Sequence, residues 1–368
     1  MESIKMKNAG TTVINAWNEW DPLKHVIVGR VDKTSTIKPE SENPIDAPNW
    51  GDIFHTIGPD GEEQFEKAYE QIEGFAALLE KRGIRVDRPT LMDFSQGVQT
   101  PDWAHNTMFG VMPPRDILIC FGNEILETTM SFRDRWYEFI CYRPLLEKYF
   151  KEDPNFVWEA APKPRLTEAT YEPGYWNNYQ NVWSEEVKQE RHAAKKWLLT
   201  DHEPLFDAAD MMRYGKDIFV QPSLVTNAPG IDWLRRHLEP KGFRLHEVNF
   251  GGDPMSIHLD CQFFSPRPGL LLQSPNLPST TPGFHELFKA NGWEVVTADD
   301  SSGKLPDPSF FLAYNVLSLD QNTICVEAAE VKVIDQLDKM GLDVIPVEFA
   351  NVAAFGGGLH CSTVDIFR

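Results

Sequence analysis

The chain has 368 residues, a formal net charge of −20 and a hydrophobic share of 42%. That length supports a large core or two domains, and the acidic balance argues against nucleic acid or an anionic membrane as the main partner, because both would repel it. No apolar run reaches the length of a membrane span, the opening Met1-Glu2-Ser3-Ile4-Lys5-Met6 has no signal-peptide core, and five widely spaced cysteines without a Cys-x-x-Cys pair support neither a disulfide framework nor a zinc ribbon, so free thiols in the cytoplasm are expected.

The first buried-looking strand is His25-Val26-Ile27-Val28, entered through the turn Asp21-Pro22. An amphipathic helix follows over 66–79, then Lys81-Arg82-Gly83-Ile84-Arg85-Val86, where a glycine stops the helix and a β-rich run begins. The same order returns with the turn Pro113-Pro114-Arg115-Asp116, the strand Ile117-Leu118-Ile119-Cys120 and a helix over 136–150. That helix ends in Asp153-Pro154-Asn155-Phe156-Val157-Trp158, with Asn155 expected in the left-handed cap that glycine takes elsewhere. Residues 161–199 break the rhythm with prolines, tryptophans and charge, and read as a surface insertion or a lid.

A third copy has the turn Gly215-Lys216-Asp217, the strand Ile218-Phe219-Val220-Gln221, a helix over 233–238 and Pro240-Lys241-Gly242-Phe243-Arg244-Leu245. The fourth has Pro266-Arg267-Pro268-Gly269, Leu270-Leu271-Leu272-Gln273, a helix over 284–288 and Ala290-Asn291-Gly292-Trp293-Glu294-Val295. The fifth has Asp320-Gln321-Asn322, Thr323-Ile324-Cys325-Val326, a helix over 331–340 and Lys339-Met340-Gly341-Leu342-Asp343-Val344. Another strand-like stretch precedes each turn, so the unit is strand, turn, strand, helix, strand. Five units, the last three spaced by roughly fifty residues, predict one α/β domain over 1–368 built as a fivefold pseudo-symmetric propeller. The first unit lacks its own leading strand, and 12–16 and 358–366 are the segments that could supply it.

The polar residues of the leading strands carry the chemistry. Leu205-Phe206-Asp207-Ala208-Ala209-Asp210 aims carboxylates out of a tight backbone. In Met255-Ser256-Ile257-His258-Leu259-Asp260-Cys261, strand parity sends His258 and Asp260 to one face and Cys261 to the other. Phe355-Gly356-Gly357-Gly358-Leu359-His360-Cys361 delivers one thiol through a backbone without side chains, again read as a strand, with His360 opposite Cys361 and structural. If the leading strands meet, Asp116, Asp207, His258, Asp260 and Cys361 surround one cavity. A thiol nucleophile, an imidazole for proton transfer and several carboxylates suit a planar, many-donor cation such as a guanidinium. Taken alone, His258 is more readily a core or surface residue than a catalyst, a balance that Asp260 beside it shifts, and a metal held by His258, Asp260 and Cys361 matches no strong ligand spacing. Cys120, Cys141, Cys261 and Cys325 read as core thiols.

At these residues the chain resembles the arginine:glycine amidinotransferase family of the guanidino-modifying (pentein) superfamily. The likeness is carried by Asn18-Glu19-Trp20-Asp21-Pro22-Leu23, Pro114-Arg115-Asp116-Ile117-Leu118, Gly122-Asn123-Glu124-Ile125, Ala161-Pro162-Lys163-Pro164, Phe206-Asp207-Ala208-Ala209-Asp210, Gly230-Ile231-Asp232-Trp233-Leu234, His258-Leu259-Asp260 and the glycine run into Cys361. The resemblance implies a fivefold α/β propeller and a ping-pong transfer from L-arginine to an amine, through an amidino group carried on Cys361. It implies His258 as acid and base, Asp207 as its orienting partner, Asp116 and Asp260 as guanidinium ligands, no metal or organic cofactor, and a homodimer. A guanidino hydrolase of the same fold and a silent guanidino-binding protein are the alternatives.

Two departures bear on the acceptor. Ser274-Pro275-Asn276-Leu277 stands where the family reads Asn-Pro-Asp-Arg, so Leu277 replaces an arginine that holds an amino-acid carboxylate; Arg267 is a candidate substitute. Pro308-Ser309-Phe310-Phe311 is apolar where the family has serines and a lysine. Both point away from glycine and toward a natural-product branch, such as the amidinotransferases of streptomycin-type or saxitoxin-type pathways.

Overall fold

The computed structural model describes residues 12–34, 61–250, 258–305 and 309–368. Among the described residues the mixed α/β body holds five three-stranded sheets of one topology. In each, a leading strand runs antiparallel to a middle strand, and a helical crossover returns the chain to a third strand parallel to the middle one. The fourth sheet shows the pattern plainly: Phe263–Arg267 pairs antiparallel with Leu270–Gln273, which pairs parallel with Glu294–Thr297 after the helix Phe284–Ala290. The fifth uses Leu317–Ser318, Thr323–Glu327 and Asp343–Val347 around the helix Val331–Lys339. In the first, the leading strand is the C-terminal Thr363–Phe367, laid antiparallel on His25–Val28, with Arg85–Asp87 on the other side. Asn15 bridges Phe367 as well, so both segments expected to complete this sheet take part.

The third unit shows why the sequence folds this way. Asn227 caps the helix Ala228–Leu238 by accepting from the Gly230 amide at 3.0 Å, and a proline sits in its first turn, where no amide donor is missed. Ile231, Leu234 and Leu238 recur at helical spacing and pack on Met211, Ile218 and Val220 of the sheet Met211–Tyr214, Asp217–Val220 and Arg244–Glu247. Each such buried side chain contributes about 1.5–3 kcal/mol. Gly242, at φ 81°, then takes the left-handed turn that releases the chain into the third strand.

The second unit corrects the sequence reading. The 117–120 run is its leading strand, Leu118–Phe121, and the middle strand is Glu124–Glu127, joined by a tight turn through Gly122 at φ 67°. Two glutamates disguise that middle strand as a loop. Both are buried with partners: Glu124 Oε1 lies 2.5 Å from His237 Nε2, and Glu127 Oε1 accepts from Trp158 Nε1 at 2.6 Å. The expected helix over 136–150 begins only at Arg143, after the 3₁₀ turns Arg133–Arg135 and Glu138–Cys141. Asn155 is not left-handed either; Asp153 ends this helix, its carboxylate accepting from the Asn155 amide at 2.9 Å and from Val13 at 2.7 Å. Residues 161–199 are pinned by their aromatics: Tyr171, Tyr175, Trp176 and Trp197 are buried in the same cluster as Tyr142 and Leu146. Among the described residues no helix is long and apolar enough to cross a membrane.

A buried ionic network ties the units together. Arg213 donates to both Glu19 oxygens at 2.7 and 2.8 Å and to Asp365 at 2.5 Å. Asp365 also accepts from Arg115 at 3.1 Å and Arg368 at 2.8 Å. Arg213→Met removes the two strongest hydrogen bonds to the buried Glu19 and one to Asp365, and we expect chemical denaturation to show a loss of about 3–5 kcal/mol.

Candidate active site

The residues singled out in the sequence sit on short turns just before the leading strands. Asp116 lies in the helical turn Pro114–Ile117, and Asp207 immediately precedes the 3₁₀ turn Ala208–Asp210. His258 precedes, and Asp260 belongs to, the 3₁₀ turn Leu259–Cys261, while Cys361 lies in the turn before Thr363–Phe367. A turn at the end of a strand projects a polar side chain out of the sheet without placing it in the core. All five residues are buried.

They converge. A carboxylate oxygen of Asp116, a ring nitrogen of His258 and Cys361 Sγ lie within 4.8 Å of one another. His258 Nδ1 is 3.7 Å from Asp116 Oδ1, and its Nε2 is 3.6 Å from Asp207 Oδ2, just beyond hydrogen-bond distance. Asp260 Oδ2 is 3.5 Å from Cys361 Sγ and is anchored by His360 Nδ1 at 2.7 Å. Asp116 is anchored through its other oxygen by Arg135 at 2.7 Å. Among the described residues, Asp116 Oδ1, both Asp207 oxygens and His258 Nε2 have no hydrogen-bond partner. Unpaired buried acceptors flanking one imidazole ask for a partner rich in N–H groups.

The electrostatics divide the labour. Burial, the largest influence, pulls His258 toward the neutral form, but Asp116, with Asp207, the Cys361 sulfur and Asp210, holds it protonated well above the usual histidine range. The Cys361 thiol is held below its ordinary range: a hydrogen bond from Cys261 acts most strongly and His258 adds to it, against burial and the carboxylates of Asp260 and Asp116. Burial pushes Asp260 up, yet the hydrogen bond and charge of His360 outweigh it and keep it ionised. Asp210 is engaged by Ser223, Thr226 and Gln221, and burial raises it to about 7.

Several expectations change here. Strand parity fails at 258–261 and 356–362 because both stretches are turns; residues 251–257, which carry the rest of the expected strand, lie outside the described residues. Cys261 is therefore not a core thiol: its sulfur lies within 4.8 Å of Cys361 Sγ and 3.5 Å from Asp260 Oδ1. His360 links the site to the ionic network: its Nδ1 holds the Asp260 oxygen that lies 3.5 Å from Cys361 Sγ, and its Nε2 is 3.3 Å from Glu19 Oε2. Cys120, Cys141 and Cys325 behave as expected, buried and pushed up to about 12 by burial. Arg267 cannot serve the site, since its guanidinium donates to the Met340 carbonyl at 3.1 Å at the end of the fifth unit's helix. The glycine run clears space: a Cβ on Gly357 would come 2.4 Å from Cys361 Cβ and 2.6 Å from its sulfur. Two sets, Asp116–His258–Cys361 and Asp260–Cys261–Cys361, have the proximity to hold a metal ion. The protonated imidazole and Arg135 beside Asp116 favour an organic cation hydrogen-bonded to the carboxylates over a metal bound through His258.

No family profile matches the sequence. The mitochondrial glycine amidinotransferase of Xenopus laevis is 36% identical over 378 aligned residues, covering 100% of this chain and 86% of the relative. The L-arginine:L-lysine amidinotransferase of Pseudomonas savastanoi pv. phaseolicola is 32% identical over 97% of this chain and 95% of its own. This chain belongs to the amidinotransferase family. Among solved structures, SxtG, an amidinotransferase of the saxitoxin biosynthetic pathway from Microseira wollei, superposes with a TM-score of 0.80 at 32% identity, covering 96% of this chain and 97% of that one. Inosamine-phosphate amidinotransferase StrB1 of Streptomyces griseus gives 0.78 at 29% identity, covering 97% of both chains. A dimethylarginine dimethylaminohydrolase, at TM-score 0.56 and 14% identity over 93% of this chain and 99% of that one, shares the fold alone. The chain is thus an amidinotransferase by family, and the hydrolase alternative has only a distant likeness behind it.

Proposed function

We propose that this amidinotransferase takes the amidino group of L-arginine onto Cys361 and passes it to a primary amine other than glycine. The observation that carries the reading is the convergence of the Cys361 sulfur, the His258 imidazole and unpaired carboxylate oxygens in one buried space. The Cys361 thiolate attacks the guanidinium carbon, whose nitrogens are held by Asp116 and Asp260. His258 gives its proton to the departing ornithine amine, leaving an amidino thioether. The incoming amine then attacks that carbon, His258 takes a proton back, and the C–S bond breaks to restore the thiolate. Asp207 orients the imidazole and stabilises its charged form.

On this reading the five sheets close into a fivefold ring around the site. The C-terminal strand completing the first sheet supports that closure. Residues 1–368 then form one catalytic unit that carries the 161–199 excursion, works as a homodimer in the cytoplasm and needs no metal or organic cofactor.

The acceptor follows from what replaces the family's carboxylate ligand. Leu277 is buried, and Arg115 and Arg135 are already paired with Asp365 and Asp116. Relatives of similar identity carry different acceptors in their names, glycine in one and lysine in the other, so overall likeness does not choose among them. An amine lacking a carboxylate near the reacting nitrogen, from a toxin- or antibiotic-type precursor, fits best. A screen of amines with labelled arginine, read by mass spectrometry of amidinated products, tests this. We expect glycine to be poor and Leu277→Arg to improve its kcat/KM by roughly tenfold or more, the scale of one charge-assisted hydrogen bond; unchanged acceptor preference contradicts the carboxylate argument.

A further inference from the structure

The fifth unit places an uncharged residue where the second, third and fourth place Asp116, Asp207 and Asp260 and the first places Cys361. Asn315 follows the 3₁₀ turn Ser309–Ala313 and precedes the leading strand Leu317–Ser318, and it is 1% exposed. Its Oδ1 accepts from the backbone amides of His360 and Cys361, both at 3.0 Å. Backbone amides only donate, so the oxygen must face them and the side-chain NH₂ must face the other way. There Nδ2 lies 3.1 Å from Cys361 Sγ, 3.3 Å from Cys261 Sγ and 3.5 Å from the Asp260 carbonyl. The third glycine of the run makes this approach possible, because a Cβ on Gly358 would come 2.7 Å from Asn315 Oδ1.

We propose that Asn315 is a further catalytic residue of the transfer: its amide N–H stabilises the Cys361 thiolate, while its carbonyl oxygen fixes the backbone that carries the sulfur. The inference rests on Cys361 being the nucleophile. A thiolate here stands 3.5 Å from Asp260 Oδ2, with Asp116 also close, and like charge disfavours it. An amide donor offsets that repulsion and does not titrate, unlike the His258 and Cys261 donors. It acts on both halves of the reaction. In the first, it raises the share of thiolate before attack. In the second, the sulfur departs from the tetrahedral carbon as an anion, and the waiting N–H receives the charge as it returns. On the sulfur of the amidino thioether, which carries no negative charge, the same bond is weak, so the stabilisation is largest where charge develops.

Asn315→Asp separates the two roles. The aspartate keeps an oxygen for both backbone amides and puts an acceptor in place of the donor. The experiment measures alkylation of Cys361 by iodoacetamide across pH, read on the Cys361 peptide by mass spectrometry, together with kcat and the melting transition. We expect a folded Asn315→Asp protein whose alkylation midpoint moves up by about one pH unit or more and whose kcat falls roughly 10–1,000-fold. Asn315→Ala should shift the midpoint in the same direction by less, and it carries the test if the aspartate variant does not fold. A midpoint identical to that of the unaltered protein in a folded variant overturns the inference while leaving Cys361 as nucleophile. If the unaltered Cys361 alkylates like an ordinary thiol and Cys361→Ala still releases ornithine, the nucleophile reading fails and the inference falls with it.

Discussion

Cys361→Ala is expected to release no ornithine from arginine while remaining folded. The thiol is lowered toward its anion beside an imidazolium, and Cys261 beside it is a poor replacement: the hydrogen bond it donates to Cys361, and then burial, hold it well above the ordinary thiol range. Loss of a covalent nucleophile removes a step of the reaction, so the rate should fall on the order of 10⁴-fold or more. Stability should change by only about 1–2 kcal/mol, because the side chain is small and its loss leaves Asn315 bound to the two backbone amides. The check is ornithine formation beside a thermal melt. Turnover near that of the unaltered protein would take Cys361 out of the chemistry.

His258→Asn should slow both half-reactions, by about 10²–10⁴-fold. The sign of the pH dependence follows from the shifts. Cys361 is lowered and His258 raised, and both shifts favour a thiolate beside an imidazolium. In the unaltered protein kcat/KM for arginine should fall at low pH as the thiolate takes a proton, and at high pH as the imidazolium loses its own. The asparagine variant has no proton to lose, so its residual rate should keep the acid limb, moved to higher pH by the missing cation, and lose the alkaline limb. Steady-state rates across pH decide this. An alkaline limb that survives in the variant would assign the proton to another group.

Much of the site was legible because its chemistry is carried by residue types that seldom occur in strands of a core. Asp116, Asp207, His258, Asp260 and Cys361 each stood out from an apolar neighbourhood, and the structure brings them together. Their directions were less legible. Period-two alternation presupposes strands at 258–261 and 356–362, and the chain makes turns there, so Cys261 lies beside Cys361 instead of away from it. Asn315 gave no signal of its own: one amide in Ala313-Tyr314-Asn315-Val316 reads as a turn residue. Only its place before the leading strand, equivalent to that of Asp116, could have marked it. The middle strand, helix and third strand of the repeat are legible in four units, whose leading strands begin a few residues later than expected, and the second is misregistered, because the buried Glu124 and Glu127 hide a strand behind their ion pairs. Polar pairing across 113 residues, as between Glu124 and His237, leaves no local trace in a sequence.

The most direct test of the account is to trap the intermediate. The protein is mixed with arginine in the absence of any acceptor, quenched in acid and digested, and its peptides are weighed. One amidino group is expected on the peptide carrying Cys361, formed as ornithine is released and discharged when an amine is added. Ornithine release with Cys361 unmodified, or the group found on another residue, would contradict it.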